Sequence, residues 1–266
     1  MAIKSIWNRR LNGIVMKSLA EIKAELSACS KEERTSLLES LKTDTRTGVQ
    51  KLIEKYEKEE QKLLLEIERI EKMKFYENQY PDAAYICGID EVGRGPLAGP
   101  VVAGAVILDK NKQILYLNDS KKLSEAKREE LSAIIKENAI DYQIGVMSPQ
   151  VIDDVNILQA TYKAMQTAVR GLKYTPDVLL NDAVVIPELS MEQVKIIKGD
   201  AKSISIAAAS IIAKVERDHM MMEYDKLYPE YGFARNKGYG SAEHIEALKK
   251  YGPCPIHRTT FIKNFL

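Results

Sequence analysis

Tyr85-Ile86-Cys87-Gly88-Ile89-Asp90-Glu91-Val92-Gly93-Arg94-Gly95-Pro96 carries two adjacent carboxylates at the end of a short apolar run. A Gly-Arg-Gly turn follows, and then a second apolar run, Val101 to Leu108. Run, turn and run predict two neighbouring β-strands. Consecutive side chains of a regular strand point to opposite faces. Asp90 and Glu91 therefore serve one site only if the strand ends or distorts there, and Gly93 and Gly95 make such an ending available. A solvated strand-to-loop pair is the plain alternative. Two carboxylates beside a turn able to approach a phosphate backbone point instead to a metal-dependent site acting on a phosphodiester, provided that further carboxylates end other elements downstream.

Past residue 83, β-branched apolar runs fall at 85–89, 101–108, 142–147, 177–181 and 194–198. Helical patterns fall at about 124–138, 149–171, 202–224 and 241–250. Strands come first, then strands and helices alternate, which predicts an α/β domain: a mixed sheet flanked by helices. Residues 17 to about 77 read as helix, with Ser18-Leu19-Ala20-Glu21 and Ser30-Lys31-Glu32-Glu33 as capping boxes. Val49, Leu52, Ile53, Tyr56, Leu63, Leu64, Ile67 and Ile70 form one apolar stripe on the last helix of this region. Asn78-Gln79-Tyr80-Pro81-Asp82 breaks that helix, so the expected division is a helical extension over 1–80 and a catalytic domain over 81–266. The first 15 residues are basic and have no signal-peptide core; they read as a leader or an over-extended start before Met16, outside the fold.

Hydrophobic content of 45% and charged content of 29% are those of an ordinary globular protein. No apolar run approaches the roughly 20 residues that span a bilayer. Cys29, Cys87 and Cys254 are odd in number and scattered, which fits neither a disulfide framework nor a zinc motif and predicts a reducing, cytoplasmic setting. Cys87 reads as a buried structural thiol. The net charge of +1 gives no global sign of nucleic-acid binding, so basic pairs such as Lys121-Lys122 matter only if the fold gathers them around carboxylates.

Further carboxylates do end other elements. Asp182 follows the run Asp177 to Asn181, and Asp200 sits in Lys198-Gly199-Asp200-Ala201-Lys202 before a helix. Alone, Asp182 reads as a turn residue and Asp200 as a first-turn aspartate favoured by the helix dipole. Together with Asp90 and Glu91 they make four hard oxygen donors without a histidine among them, a set suited to Mg²⁺ or Mn²⁺ rather than zinc. Two such ions roughly 4 Å apart can activate water and neutralise a leaving oxygen. Gly88 and Gly93 have phosphate-loop spacing, but Arg94-Gly95 stands where Lys-Ser/Thr is needed, which excludes that reading. Gly93-Arg94-Gly95 is too short for a dinucleotide fingerprint.

GIDEVGRGPLAGPVVAGAVIL, NDSKKLS, LLNDA, IKGDAKSISIAAASIIAKVERD, YGFARNKGYGSAEH and HRTTF follow one another in this order. In these motifs, over about residues 83–265, the chain closely resembles the bacterial ribonuclease HII family, the type 2 ribonucleases H. The resemblance implies a ribonuclease H-like fold, and cleavage of the RNA strand of RNA–DNA hybrids with Mn²⁺ or Mg²⁺. It also implies incision of duplex DNA 5′ to single ribonucleotides, leaving 3′-hydroxyl and 5′-phosphate ends. It assigns catalysis and metal binding to Asp90, Glu91, Asp182 and Asp200. It assigns reading of the ribonucleotide 2′-hydroxyl to Gly93, Arg94 and Gly95, stacking on the following sugar to Tyr239, and phosphate contacts to Lys121 and Lys202. A monomer acting on nucleic acid and not on membranes is expected. The alternatives are a ribonuclease HIII-like hybrid nuclease, which usually lacks this arginine, and a non-catalytic hybrid-binding protein. Two features depart from the family pattern. Asn181 stands where the family usually has an aliphatic residue before Asp182, which leaves its effect on the strand end open, and the N-terminal helical region exceeds the minimal domain.

Overall fold

The computed structural model describes residues 17–265 together with Arg10–Leu11 (β1) and Ile14–Val15 (β2), whose backbones pair antiparallel. The expectation for residues 1–15 otherwise lies outside the described residues. Contacts divide the chain into residues 1–66 and 67–266.

The first unit holds α1 (Leu19–Ala28), α2 (Lys31–Leu41) and most of α3 (Thr47–Met73). Both predicted capping boxes form. Ser18 and Ser30 accept from the amides of Glu21 and Glu33, whose carboxylates accept from the serine amides in return. Ile22, Leu26, Leu38, Val49, Leu52 and Ile53 make its core, with Tyr56 against it. The apolar stripe of α3 is not buried along its whole length: Leu64 is exposed.

The second unit is built on a five-stranded mixed sheet. Its strands are β3 (Ile86–Val92), β4 (Val101–Leu108), β5 (Ala139–Met147), β6 (Val178–Asp182) and β7 (Glu192–Ile196), in spatial order β5-β4-β3-β6-β7. β3 pairs antiparallel with β4 and parallel with β6, and β6 pairs parallel with β7. The helices are α4 (Glu125–Asn138), α5 (Pro149–Val155), α6 (Ile157–Gly171), α7 (Ile204–Leu227), α8 (Phe233–Asn236), α9 (Ala242–Tyr251) and α10 (Thr259–Ile262). The predicted helix over 149–171 is two helices. Asn156 breaks it at φ 70° and caps α6 through its side chain.

Strand alternation sorts the two faces. Cys87, Ile89, Ala103, Ala105 and Leu179 pack on Ala160, Ala164, Met165 and Ala168 of α6. Val106 faces the other way, into a cluster with Ile211 and Ile212 of α7, Leu131 and Ile135 of α4, and Ile70 and Met73 from the end of α3. The small residues of α7 do what their size allows. A Cβ on Gly88 or Gly104 would collide with the backbone of Ser205 or Ala209, so the helix lies directly on sheet backbone. The Cys87 thiol is fully buried, and burial raises its pKa, as a structural thiol requires.

Candidate active site

The parallel pairing of β3 with β6 sets the site. Ile89 lies opposite Asn181, so the next residues of the two strands, Asp90 and Asp182, come side by side at the C-terminal end of β6, in the middle of the sheet. The expected strand ending is absent: pairing with β4 continues to Val92 opposite Val102, and Glu91 belongs to the site because its carboxylate remains within electrostatic reach of Asp90, Asp182 and Lys121. Asp90, on the α7 side, is buried, accepts from the Glu91 amide at 2.8 Å and hydrogen-bonds Ser210 of α7. Glu91 accepts from the Arg94 guanidinium at 3.3 Å. Asp182 Oδ1 accepts from the Gly199 amide at 2.7 Å, which ties the strand end to the one-turn helix Gly199–Ala201 that carries Asp200. Asn181 leaves that end intact. Its Nδ2 donates to Gln193 on β7 at 2.9 Å, while its buried Oδ1 has no partner.

These carboxylates share one field. Burial, then Glu91 and Asp182, raise the Asp90 pKa well above the usual carboxylate range. Glu91 is raised by burial and by Asp182, against the opposing pull of Arg94. Burial, then Asp119 and Asp182, raise Asp200. Lys121 answers them. Burial works against its charge, but Asp90, Asp119, Asp200 and Asp182 together outweigh that and hold its ammonium above the ordinary value. Asp182, Asp200, Asp119, Lys121, Lys122 and Lys198 line a recess of about 440 Å³.

The carboxylate set fits hard divalent cations: four oxygen donors from three elements, Asp90 and Asp200 buried and Glu91 and Asp182 partly so, with no imidazole hydrogen-bonded to them. Among the described residues no three acidic, histidine or cysteine side chains already converge as ligands. The carboxylate oxygens are turned onto protein donors, the amides of Glu91 and Gly199, Ser210 and Arg94.

Gly93, Arg94 and Gly95 form the β3–β4 turn. Gly93 has φ 90°, and a Cβ there would strike the Arg217 guanidinium. The Tyr239 ring lies 3.9 Å from where a Gly95 Cβ would stand, and Tyr239 is 47% exposed, so its outer face is open to a ligand. The structure thus brings together Asp90, Glu91, Asp182, Asp200 and Lys121. Gly93, Arg94, Gly95 and Tyr239 form a second group, joined to the first by the Arg94–Glu91 ion pair. Lys202 is apart. It lines a neighbouring recess with Lys72, Phe75, Tyr76, Asn118 and Lys122, and the two recesses share Lys122 and Ala201.

Sequence reasoning missed the residues that hold the turn. Arg217 and Arg258 are both fully buried. Arg258 donates to the carbonyls of Gly93, Arg94 (2.9 Å) and Gly99. Arg217 donates to Pro100 (3.0 Å), Ala98 (3.2 Å) and Lys237 (2.9 Å). It also missed Asp119, although NDSKKLS contains it. Burial disfavours both guanidinium charges, and the carbonyl oxygens compensate.

Residues 87–264 match the family model described as Ribonuclease HII, and residues 18–81 match the Ribonuclease HII N-terminal domain. The chain is similar to the ribonuclease HII of Lachnoclostridium phytofermentans, 58% identical over 92% of this chain and 97% of that protein. It is 52% identical to that of Clostridioides difficile over 94% and 99% of the two chains. Among solved structures, the ribonuclease H2 of Pyrococcus horikoshii superposes with a TM-score of 0.56 at 30% identity, covering 66% of this chain and 93% of that one.

Proposed function

The chain belongs to the ribonuclease HII family, and from that membership we propose how its groove works. The protein is an endoribonuclease that cleaves the RNA strand of RNA–DNA hybrids and incises duplex DNA 5′ to a single embedded ribonucleotide, leaving 3′-hydroxyl and 5′-phosphate ends. One observation supports the assignment of its site: the Asp182 carboxylate raises the proton affinity of Asp90, Glu91 and Asp200 together, beside a turn against which an exposed tyrosine ring rests.

In this reading those four carboxylates hold Mn²⁺ or Mg²⁺. The bound ions would supply water activation and neutralise the leaving oxygen. Gly93-Arg94-Gly95 orients the ribonucleotide. Its backbone lies within a few residues of Glu91, so the 2′-hydroxyl that separates RNA from DNA is read next to the reacting phosphate. Tyr239 packs on the sugar that follows. The Lys121 ammonium offsets the carboxylates and faces the incoming phosphate, and Lys202 and Lys122 meet the backbone further along the groove. We place the enzyme in the cytoplasm, in keeping with its three unpaired cysteines, and take it to act as a monomer. No helix among the described residues is long and apolar enough to cross a membrane.

The test is cleavage of a DNA duplex carrying one ribonucleotide, with and without Mn²⁺. Wild type should nick 5′ to the ribonucleotide only with the ion. Asp90→Asn and Asp182→Asn should fold and not cleave. Near-normal turnover of either variant at saturating Mn²⁺ would sink the assignment.

A further inference from the structure

His244 on α9 and His257 before α10 are buried, and their Nε2 atoms lie 3.0 Å apart. The outer bonds of the pair fix every proton. His257 Nδ1 accepts from the Cys254 amide at 2.9 Å, with the Cys254 Sγ 3.1 Å away, so it carries no hydrogen. A neutral His257 therefore has its hydrogen on Nε2 and donates it to His244 Nε2. His244 Nδ1 lies 2.8 Å from the Tyr239 carbonyl oxygen, which can only accept, so this nitrogen is the protonated one. Cys254, His257, His244 and Tyr239 thus form one directed chain of hydrogen bonds. Protonating His244 would set two N–H groups against each other at the central contact, and protonating His257 would set its Nδ1–H against the Cys254 amide.

The chain ends on the residue whose ring rests on Gly95. Each carbonyl of that turn is held: Lys237 by Arg217, Gly238 by the Leu97 amide at 2.8 Å, and Tyr239 by His244 and the Ser241 amide. His257 also adjoins Arg258, which holds the Gly93 and Arg94 carbonyls.

We propose that His257 and His244 are positioning residues: their relay fixes the Tyr239 turn at its distance from Gly93-Arg94-Gly95, and so sets discrimination in favour of a single ribonucleotide. This rests on the reading of Tyr239 as the sugar-stacking residue. The pair stays neutral because of where it sits. The Tyr231 and Phe233 rings face it, the Cys254 thiol caps it with Glu230 beyond, and no carboxylate bonds to either imidazole. Burial, then His244, hold the His257 pKa down to about 4.

Two measurements test the relay. The chain contains three histidines, and the third, His219, is half-exposed on Glu129, so imidazole ¹⁵N spectra of the full-length protein resolve all of them. His257 should be the Nε2–H tautomer and His244 the Nδ1–H tautomer, with His244 held below its ordinary pKa and His257 not titrating between about pH 5 and 8. Two Nε2–H tautomers, or a titration of His257 in that range, would overturn the relay without requiring any variant to fold. The second measurement is a double-mutant cycle on the single-ribonucleotide duplex. Tyr239→Ala and His244→Leu should each lower kcat/KM roughly tenfold, the size of one lost stacking contact. The double variant should be no worse than either, and His244→Asn, which keeps a donor near the Nδ1 position, should recover most of the loss. Multiplying losses would overturn the proposal. A fully active Tyr239→Ala is a different result: it refutes the stacking reading on which the proposal depends.

Discussion

Asp90 shows what a single residue contributes before any cation arrives. It is buried at 6% exposure among like charges, and its folded-state pKa lies well above the usual value. A carboxylate raised in this way binds its proton more tightly in the folded state. Its stabilising contribution is present below the unfolded pKa of about 3.9 and is lost as pH rises through the folded value. His257 and His244 have the opposite sign. Their lowered pKa values mean that stability falls as pH drops from about 6.5 toward the folded values. The net pH slope mixes the two effects, so the difference between variant and wild type isolates Asp90. Metal-free Asp90→Asn should be more stable than wild type at neutral pH, by on the order of 1–3 kcal/mol for one buried charge removed. At about 2–4 °C per kcal/mol this is readable by calorimetry. The gain should shrink toward pH 4. An unchanged or lower melting temperature at neutral pH would mean that Asp90 is compensated in the folded protein.

Elements are joined by contacts that a helix break does not announce. α3 ends at Met73, yet Ile70 and Met73 are core residues of the second unit, and the Tyr80 hydroxyl donates to Glu192 at 2.7 Å. Glu77 matters most. Its Oε1 accepts from Ser203 Oγ at 2.6 Å and from the Ser205 amide at 3.0 Å, so it caps α7 directly after Asp200. Losing a cap costs about 0.5–2 kcal/mol, and the lower half applies here because the buried, unpartnered Glu77 Oε2 leaves as well. Glu77→Ala should therefore lower the melting temperature modestly and reduce turnover through a looser Asp200. Two truncations extend the test. Removing residues 1–66 should leave a folded, active domain, whereas removing 1–80 should cost far more stability because it opens the cluster around Ile70 and Met73. Equal melting temperatures for the two would show that the end of α3 is dispensable.

For the molecule as a whole, a net charge of +1 means that attraction to nucleic acid is local. Lys121, Lys122 and Lys198 line the carboxylate recess, and Lys122 and Lys202 the adjoining one. A lysine that meets a phosphate releases counterions on binding. Lys122→Gln and Lys202→Gln should each make the plot of log affinity against log salt shallower by roughly one unit, with little change in kcat. Lys23→Gln, far along the chain on the exposed face of α1, should leave the slope unchanged. A slope that moves equally in all three would mean diffuse attraction rather than a built path.

Local signals in the chain were enough for much of this protein. The two capping boxes and all five strands to within a few residues followed from local pattern, because each depends on neighbours close in sequence. The four carboxylates stood out for the same reason, although β3 runs past Asp90 and Glu91 to Val92. Another local expectation was modified: Asn156 split a helix. Asn181, whose effect the chain left open, keeps its strand end undistorted because Gln193, on the next strand, takes its amide. Tertiary structure alone decided that Asp119 joins the cluster, that Lys121 and Lys202 part company, and that Arg217, Arg258 and the histidine pair hold the reading turn. Arg258 reaches a carbonyl 165 residues away. Every residue offers a backbone carbonyl, so such a bond leaves no mark on the sequence at the accepting end. Only the fold determines which carbonyl is met.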